Sequence, residues 1–196
     1  VMIGRLEGDD ALNFVELEFE EATRLAFDYL YEHGHRQIGF LGLEKHLEEG
    51  GFGPAVRSWR AYREVIQQYG IVSQSQEMRL SGQATYDATL RLLDEMPNLT
   101  AIVSAHSNNV HLIIQALQAR HRRVPQDCSV IAITSSNIAE SCVPALTSIH
   151  IPVYEMGVKA VQMLARQLED PDAKVEYHLL NPEVIIRGST APLNSR

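Results

Sequence analysis

Two spacings of apolar side chains alternate along this chain. Short unbroken apolar runs give way to longer stretches in which apolar positions recur every three or four residues. The short runs at 14–17, 38–42, 101–104, 130–134, 146–149 and 184–187 read as buried strands, with a further strand expected at 77–80. The longer stretches read as helices. Ala22, Leu25, Ala26, Tyr29 and Leu30 fall on one face of a helix over 19–33, and Gly34 supplies its stop. The same spacing predicts helices over 56–69, 86–96 and 108–120, a short one over 138–142, and a last one through Gly157, Val161, Leu164, Ala165 and Leu168. The four-residue cluster Gly50-Gly51-Phe52-Gly53 suits neither period, so 44–54 is expected to be a mobile loop. Strands alternating with helices imply an α/β fold in which helices cover parallel strands.

Composition narrows the function classes. A chain of 196 residues with 45% apolar content can bury a substantial core. Its formal net charge of −8 disfavours its own surface as a nucleic-acid contact, because phosphate binding rests on clustered Lys and Arg. The densest basic run, Arg120-His121-Arg122-Arg123, closes a predicted helix, where cations offset the dipole. Cys128 and Cys142 are too few for a disulfide framework and read as small buried hydrophobes. No apolar run is long enough for a membrane span and no secretory signal opens the chain, so a cytoplasmic protein is expected.

Candidate chemistry follows from topology. In open parallel sheets, ligands sit beyond the carboxyl ends of the strands, where loops and helix N-termini converge. That rule selects Glu21, the run Arg57-Ser58-Trp59-Arg60, His106-Ser107 and Ser135-Ser136 as ligand-binding candidates. Arg57 and Arg60 offer planar forks for carboxylate, phosphate or vicinal hydroxyls, and Trp59 offers a stacking face. Each has a plainer alternative. The arginines can pair with nearby carboxylates such as Glu64 or Glu49, Trp59 can belong to the core, and Ser107 or Asn108 can cap a helix. His33 and His35 have no cysteine nearby, so neither metal nor cofactor is expected, and no nucleophile elbow or zinc-protease motif occurs. No enzyme is expected.

Several segments, in order, resemble the effector-binding core of the LacI/GalR family of bacterial transcription regulators. They are Gly34-His35-Arg36-Gln37-Ile38, Ala61-Tyr62-Arg63, Val124-Pro125-Gln126-Asp127-Cys128-Ser129-Val130 and Arg187-Gly188-Ser189-Thr190. The resemblance implies two three-layer parallel-sheet subdomains of the type I periplasmic-binding-protein-like fold. The first, incomplete, is expected from 1–43 with 153–174, and the second from 44–149 with 178–190. It further implies a small-molecule effector between them, of sugar type or related, dimerisation of two copies, and operator DNA contacted through a helix-turn-helix domain not in this chain. Starting at Val1, the chain reads as a fragment of a longer regulator that should expose strand edge and apolar helix face. The pocket departs from the family pattern. His106-Ser107 stand where Asn-Asp is usual, Thr134-Ser135-Ser136 where Phe-Asp-Asp is usual, Ser58 at the place of the pocket arginine, and Ala84 at the place of an aromatic ring. Arg57, His106 and Ser136 are the positional candidates for effector contact. The alternatives are a solute-binding protein of a sugar transporter and a regulatory module with a degenerate pocket.

Overall fold

The computed structural model runs from Val1 to Arg196 and describes all residues except 9–10, 79–81, 106–108, 171–172 and 194–196. Most of the apolar runs, joined by one polar strand, become strands of one sheet: β3 (Ile38–Leu43), the polar β4 (Ser75–Met78), β5 (Ala101–Ser104), β6 (Ser129–Thr134), β7 (Thr147–His150) and β9 (Val184–Ile185). Their order is β4-β3-β5-β6-β7-β9, with every pairing parallel except the antiparallel β7–β9 edge. The helices α1 (Phe19–Glu32) and α3 (Gly53–Tyr69) pack on one face, and α4 (Gly82–Glu95) and α5 (Val110–Ala119) on the other. Coverage of both faces explains why β3, β5 and β6 are buried at every position and carry no alternation.

A second sheet is small, with order β1-β2-β8, built from β1 (Met2–Ile3), β2 (Phe14–Leu17) and β8 (Tyr177–Leu180), all parallel. The helix α7 (Val153–Glu169) lays Met156 and Met163 on Val15 of this sheet. The chain crosses between the sheets after β2, after β7 and after β8.

Several expectations shift. The segment 44–54 is not an open loop: α2 (Lys45–Glu49) forms within it, and Phe52 makes an antiparallel bridge with Leu6. The glycine cluster ends α2 at Gly50 and lets α3 begin early, with Pro54 in its first turn, where its missing N–H costs nothing. β4 begins two residues earlier than expected, with 79–80 of the expected strand outside the described residues, and β8 has no counterpart among the predicted strands. The short helix α6 (Ser136–Ser141) begins two residues before its predicted start. β3 hydrogen-bonds into the larger sheet, so the expected division between 43 and 44 falls between two elements of that sheet's own layers. Residues 178–180 pair in the smaller sheet while 184–185 pair in the larger, so the expected unit 178–190 is split by the last crossing.

Two close approaches set the geometry of the future site. At Gly42 a Cβ would collide with the Trp59 ring, so this glycine is what lets the indole pack against β3. Gly53 leaves room for no side chain either, because Arg5 O and the Arg57 guanidinium press on it, and its N–H donates to Arg5 O at 3.0 Å. That bond and Glu7 N–H to Gly51 O at 2.8 Å tie the exit of β1 to the entry of α3.

Candidate functional site

The consecutive candidates Arg57 to Arg60 diverge because a helix sends successive side chains about 100° apart. Arg57 points inward and is 4% exposed. Its Nη1 lies 2.9 Å from Glu16 Oε2 and its Nη2 3.4 Å from Glu7 Oε2. Glu16 is the polar member of the otherwise apolar β2 and is fully buried. Arg5 completes its shell, donating from its backbone N–H and from Nε, each at 3.2 Å. Burial pushes the Glu16 carboxyl up from its ordinary value, with the arginines opposing that shift. The hydrogen bond from Arg60 holds Glu7 below its ordinary value. Arg60 is half-buried, 2.8 Å from Glu7 Oε1 and 3.5 Å from Glu20 Oε2. The expected partners of these arginines, Glu49 and Glu64, are engaged instead with Lys45 and Arg24. Glu21 is exposed and sits 3.6 Å from Arg24.

Ser58 is buried, with its hydroxyl lacking a hydrogen-bond partner among the described residues. Trp59 joins the core and also borders a cavity. Its indole N–H donates to Leu43 O at 2.8 Å, and its ring meets Phe40 edge-on at 5.0 Å. Together with Ser75, Gln76, Glu77, Ala84, Asp87 and Arg91 it lines a cavity of about 510 Å³ that wraps the β4 edge between α3 and α4. Core residue and cavity wall are therefore compatible roles for this side chain. Within that lining, Arg91 Nε donates to Gln76 at 3.1 Å, and Asp87 accepts from Gln83 at 2.8 Å.

The strand-tip candidates on the other side of the sheet form a second group. Ser135 occupies the N-cap position of α6 but makes no side-chain cap bond. Ser136 Oγ lies 3.2 Å from His150 Nδ1 and 3.4 Å from Arg187 Nη2. Arg187 is further held by Leu146 O, Ser148 Oγ and Glu140, at 3.0, 2.9 and 3.2 Å. His150 borders a cavity of about 310 Å³ with Pro152, Glu155, Leu180, Asn181 and Glu183, where the chain crosses between the sheets. Thr134, at the end of β6, is buried with its hydroxyl unpartnered among the described residues. His106 and Ser107 lie outside the described residues. Of the described candidates, Trp59 lines the first cavity and Ser136 contacts His150 on the wall of the second, while Glu21, Arg57, Ser58, Arg60 and Ser135 line neither.

Sequence reasoning missed Glu16, Glu7, His150 and Arg187. Glu16 carried a readable signal, a carboxylate inside the run Phe14-Val15-Glu16-Leu17, since a buried charge demands a partner. His150 and Arg187 carried none, because their roles depend on which strands become neighbours. Among the described residues no group of three or more His, Cys, Asp or Glu is placed to hold a metal ion. No helix among them is long and apolar enough to cross a membrane. Both cysteines are buried, and burial pushes the Cys142 thiol up from its ordinary range.

Comparison with known proteins agrees with this architecture. The HTH-type transcriptional repressor CytR of Escherichia coli (strain K12) is 28% identical over 197 residues, covering 98% of this chain and 56% of CytR. The HTH-type transcriptional repressor PurR of Vibrio atlanticus (strain LGP32) is 26% identical over 179 residues, 89% of this chain and 52% of PurR. The chain therefore spans about half the length of these relatives. The crystal structure of a LacI-family transcriptional regulatory protein from Corynebacterium glutamicum superposes with a TM-score of 0.85 at 26% identity, covering 98% of this chain and 72% of that one. Residues 27–190 match the periplasmic binding protein-like domain family, with the LacI-type landmarks in order, and the chain belongs to that family.

Proposed function

We propose that this chain is the effector-binding and dimerising core of a bacterial, cytoplasmic DNA-binding transcription regulator, in which a small molecule at the strand tips modulates operator affinity. The observation that carries the reading is the family match over 27–190 on a doubly wound sheet joined to a second sheet by repeated chain crossings. Such crossings make a hinge between two bodies, and a ligand that bridges them biases their relative placement. The Trp59–Ala84 cavity has the size of a small-molecule site, with an aromatic edge and a few polar groups along its wall. Operator contact belongs to a domain outside these residues, in keeping with their negative charge. The regulators CytR and PurR among the relatives favour this reading over a transporter's solute-binding protein.

A thermal-shift screen over sugars, nucleosides and purine bases tests it. A true effector at 100 times its dissociation constant stabilises by about 2.7 kcal/mol, and Trp59→Ala should abolish that rise. Silence across the panel removes the small-molecule site and leaves a module with a degenerate pocket, whereas a rise indifferent to Trp59 moves the site away from the Trp59–Ala84 cavity. Sedimentation of the same material checks the dimer.

A further inference from the structure

We infer that residues 5–7, leaving β1, form a latch that reaches from the smaller sheet to the first turn of α3, ties the two sheets together, and opens by itself without loss of either core. The inference goes beyond the proposed function. It concerns a closure made by the chain's own residues and stands whether or not a ligand is found.

The backbone supplies a short ladder across the seam. Gly53 N–H donates to Arg5 O at 3.0 Å and Glu7 N–H donates to Gly51 O at 2.8 Å, with Leu6 and Phe52 bridged between them. In an antiparallel pair, residues flanked by such bonds face each other at the closer spacing, about 4.5 Å between Cα atoms. The close approach is written into the sequence as glycine. A Cβ at Gly53 would collide with Arg5 O and the Arg57 guanidinium, and Gly51 stands at φ 74°, where other residues are strained.

Side chains add charge in alternation across the same seam. In order they are Arg5, Glu16, Arg57, Glu7, Arg60 and Glu20, with successive partners 3.2, 2.9, 3.4, 2.8 and 3.5 Å apart. Arg5, Glu7 and Glu16 belong to the smaller sheet and the loop between β1 and β2, and Arg57, Arg60 and Glu20 to α3 and α1 of the larger. The three middle contacts therefore cross from one sheet to the other. The row is graded. Its inner end is buried at Glu16 and Arg57, and the Arg5 guanidinium lies 4.9 Å from the Phe14 ring centre. Its outer end, Glu7, Arg60 and Glu20, meets solvent, where each pair is weak and screened by salt. Leu6 and Phe52 are exposed too, so no core holds the ladder shut. Two backbone bonds and a few half-solvated charges open at lower cost than a doubly covered sheet. The latch grips the helix that also carries Trp59, so its state and one wall of the Trp59–Ala84 cavity share a rigid element.

Hydrogen exchange of the intact chain, followed by NMR at Glu7 and Gly53, tests this, because those two N–H groups cross the seam. In the wild type both should be protected relative to unstructured chain, yet exchange at least about tenfold faster than the amides of β5 and β6. No protection overturns the latch, and exchange as slow as β5 and β6 overturns its independent opening. Glu7→Gln should speed exchange at Gly53 about two- to fivefold, whereas Glu49→Gln, whose partner Lys45 lies within α2, should leave it unchanged. Equal responses overturn the role of the charges. Leu6→Cys with Phe52→Cys places two thiols at the facing pair, and the native Cys128 and Cys142 are buried out of reach. Once oxidised, this variant should exchange Gly53 no faster than β5 and β6. Persistence of the fast rate, or failure of the pair to join, overturns the inference.

Discussion

The larger and smaller sheets are written in the same apolar vocabulary and end in opposite states. In the larger one, β3, β5 and β6 disappear completely between two helical layers. In the smaller one, α7 buries only its Met156 and Met163 face, while Val161 and Leu168 on its outer side remain 67% and 75% exposed. Ile3, Leu6, Tyr177 and Leu179 are exposed beside it. An amphipathic period makes a helix, but a helix buries only as much surface as its neighbours cover. Between the two regions runs the Glu16–Arg57 junction, the most polar buried feature of the chain and the one that couples a sparsely covered sheet to a fully covered one.

The largest effect is expected at that junction. Arg57→Ala breaks a buried pair and leaves the Glu16 carboxyl with Arg5 alone, and should cost about 3–5 kcal/mol in urea denaturation. Arg60→Ala, whose side chain is only half-buried, should cost no more than about 1 kcal/mol. Equal losses would show that the junction is no more than a surface ion pair. Next comes the larger core, where Gly42→Ala drives a methyl into the Trp59 ring and should cost about 1–3 kcal/mol with a changed tryptophan emission. A smaller loss, about 1 kcal/mol, is expected for Trp59→Phe, which removes the N–H bond to Leu43 O.

Acidity separates the two carboxylates on Arg57 by sign. Glu16 sits above its ordinary 4.5, so the folded chain holds that proton more tightly, and its contribution is greatest below 4.5 and is lost as pH rises through the raised value. Glu7 is lowered, so its contribution is present above 4.5 and is lost as pH falls through the lowered value. Urea midpoints across acid to neutral pH should therefore change slope in opposite directions for Glu16→Gln and Glu7→Gln, and parallel changes would refute the assignment. The smallest effect belongs to the smaller sheet. Leu168→Ser should shift stability by no more than about 0.5 kcal/mol while lowering self-association in sedimentation, and a large loss would mean that this face is covered after all.

Much of the fold was legible, and the reasons are local. β3, β5 and β6 announced themselves as apolar runs, and α1 and α3 as three-four periods closed by Gly34 and Gly70, the latter at φ 57°. β8 was hidden because Tyr177-His178-Leu179-Leu180 has neither a clean alternation nor an apolar run, and it becomes a strand by pairing with β2. The short α2 was hidden by the glycines behind it. Landmarks that carried the resemblance turn out to fasten the fold. Ser189 Oγ donates to Val130 O at 2.6 Å and accepts Thr147 N–H at 2.8 Å, and His35 reaches Thr100 and Ala191 O at 3.0 and 3.1 Å.

The sequence by itself determined the alternation of strands and helices, the two-faced burial of the central strands and the absence of a strongly basic face, because each follows from the spacing and kind of side chains within a few residues. The tertiary structure alone decided that Arg57 would be spent on Glu16, 41 positions earlier, that Trp59 would lie against Gly42, and that His150 would meet Ser136. Those outcomes depend on which strand tips become neighbours when the sheets close, and the cost of burying an unpaired charge then selects the partner.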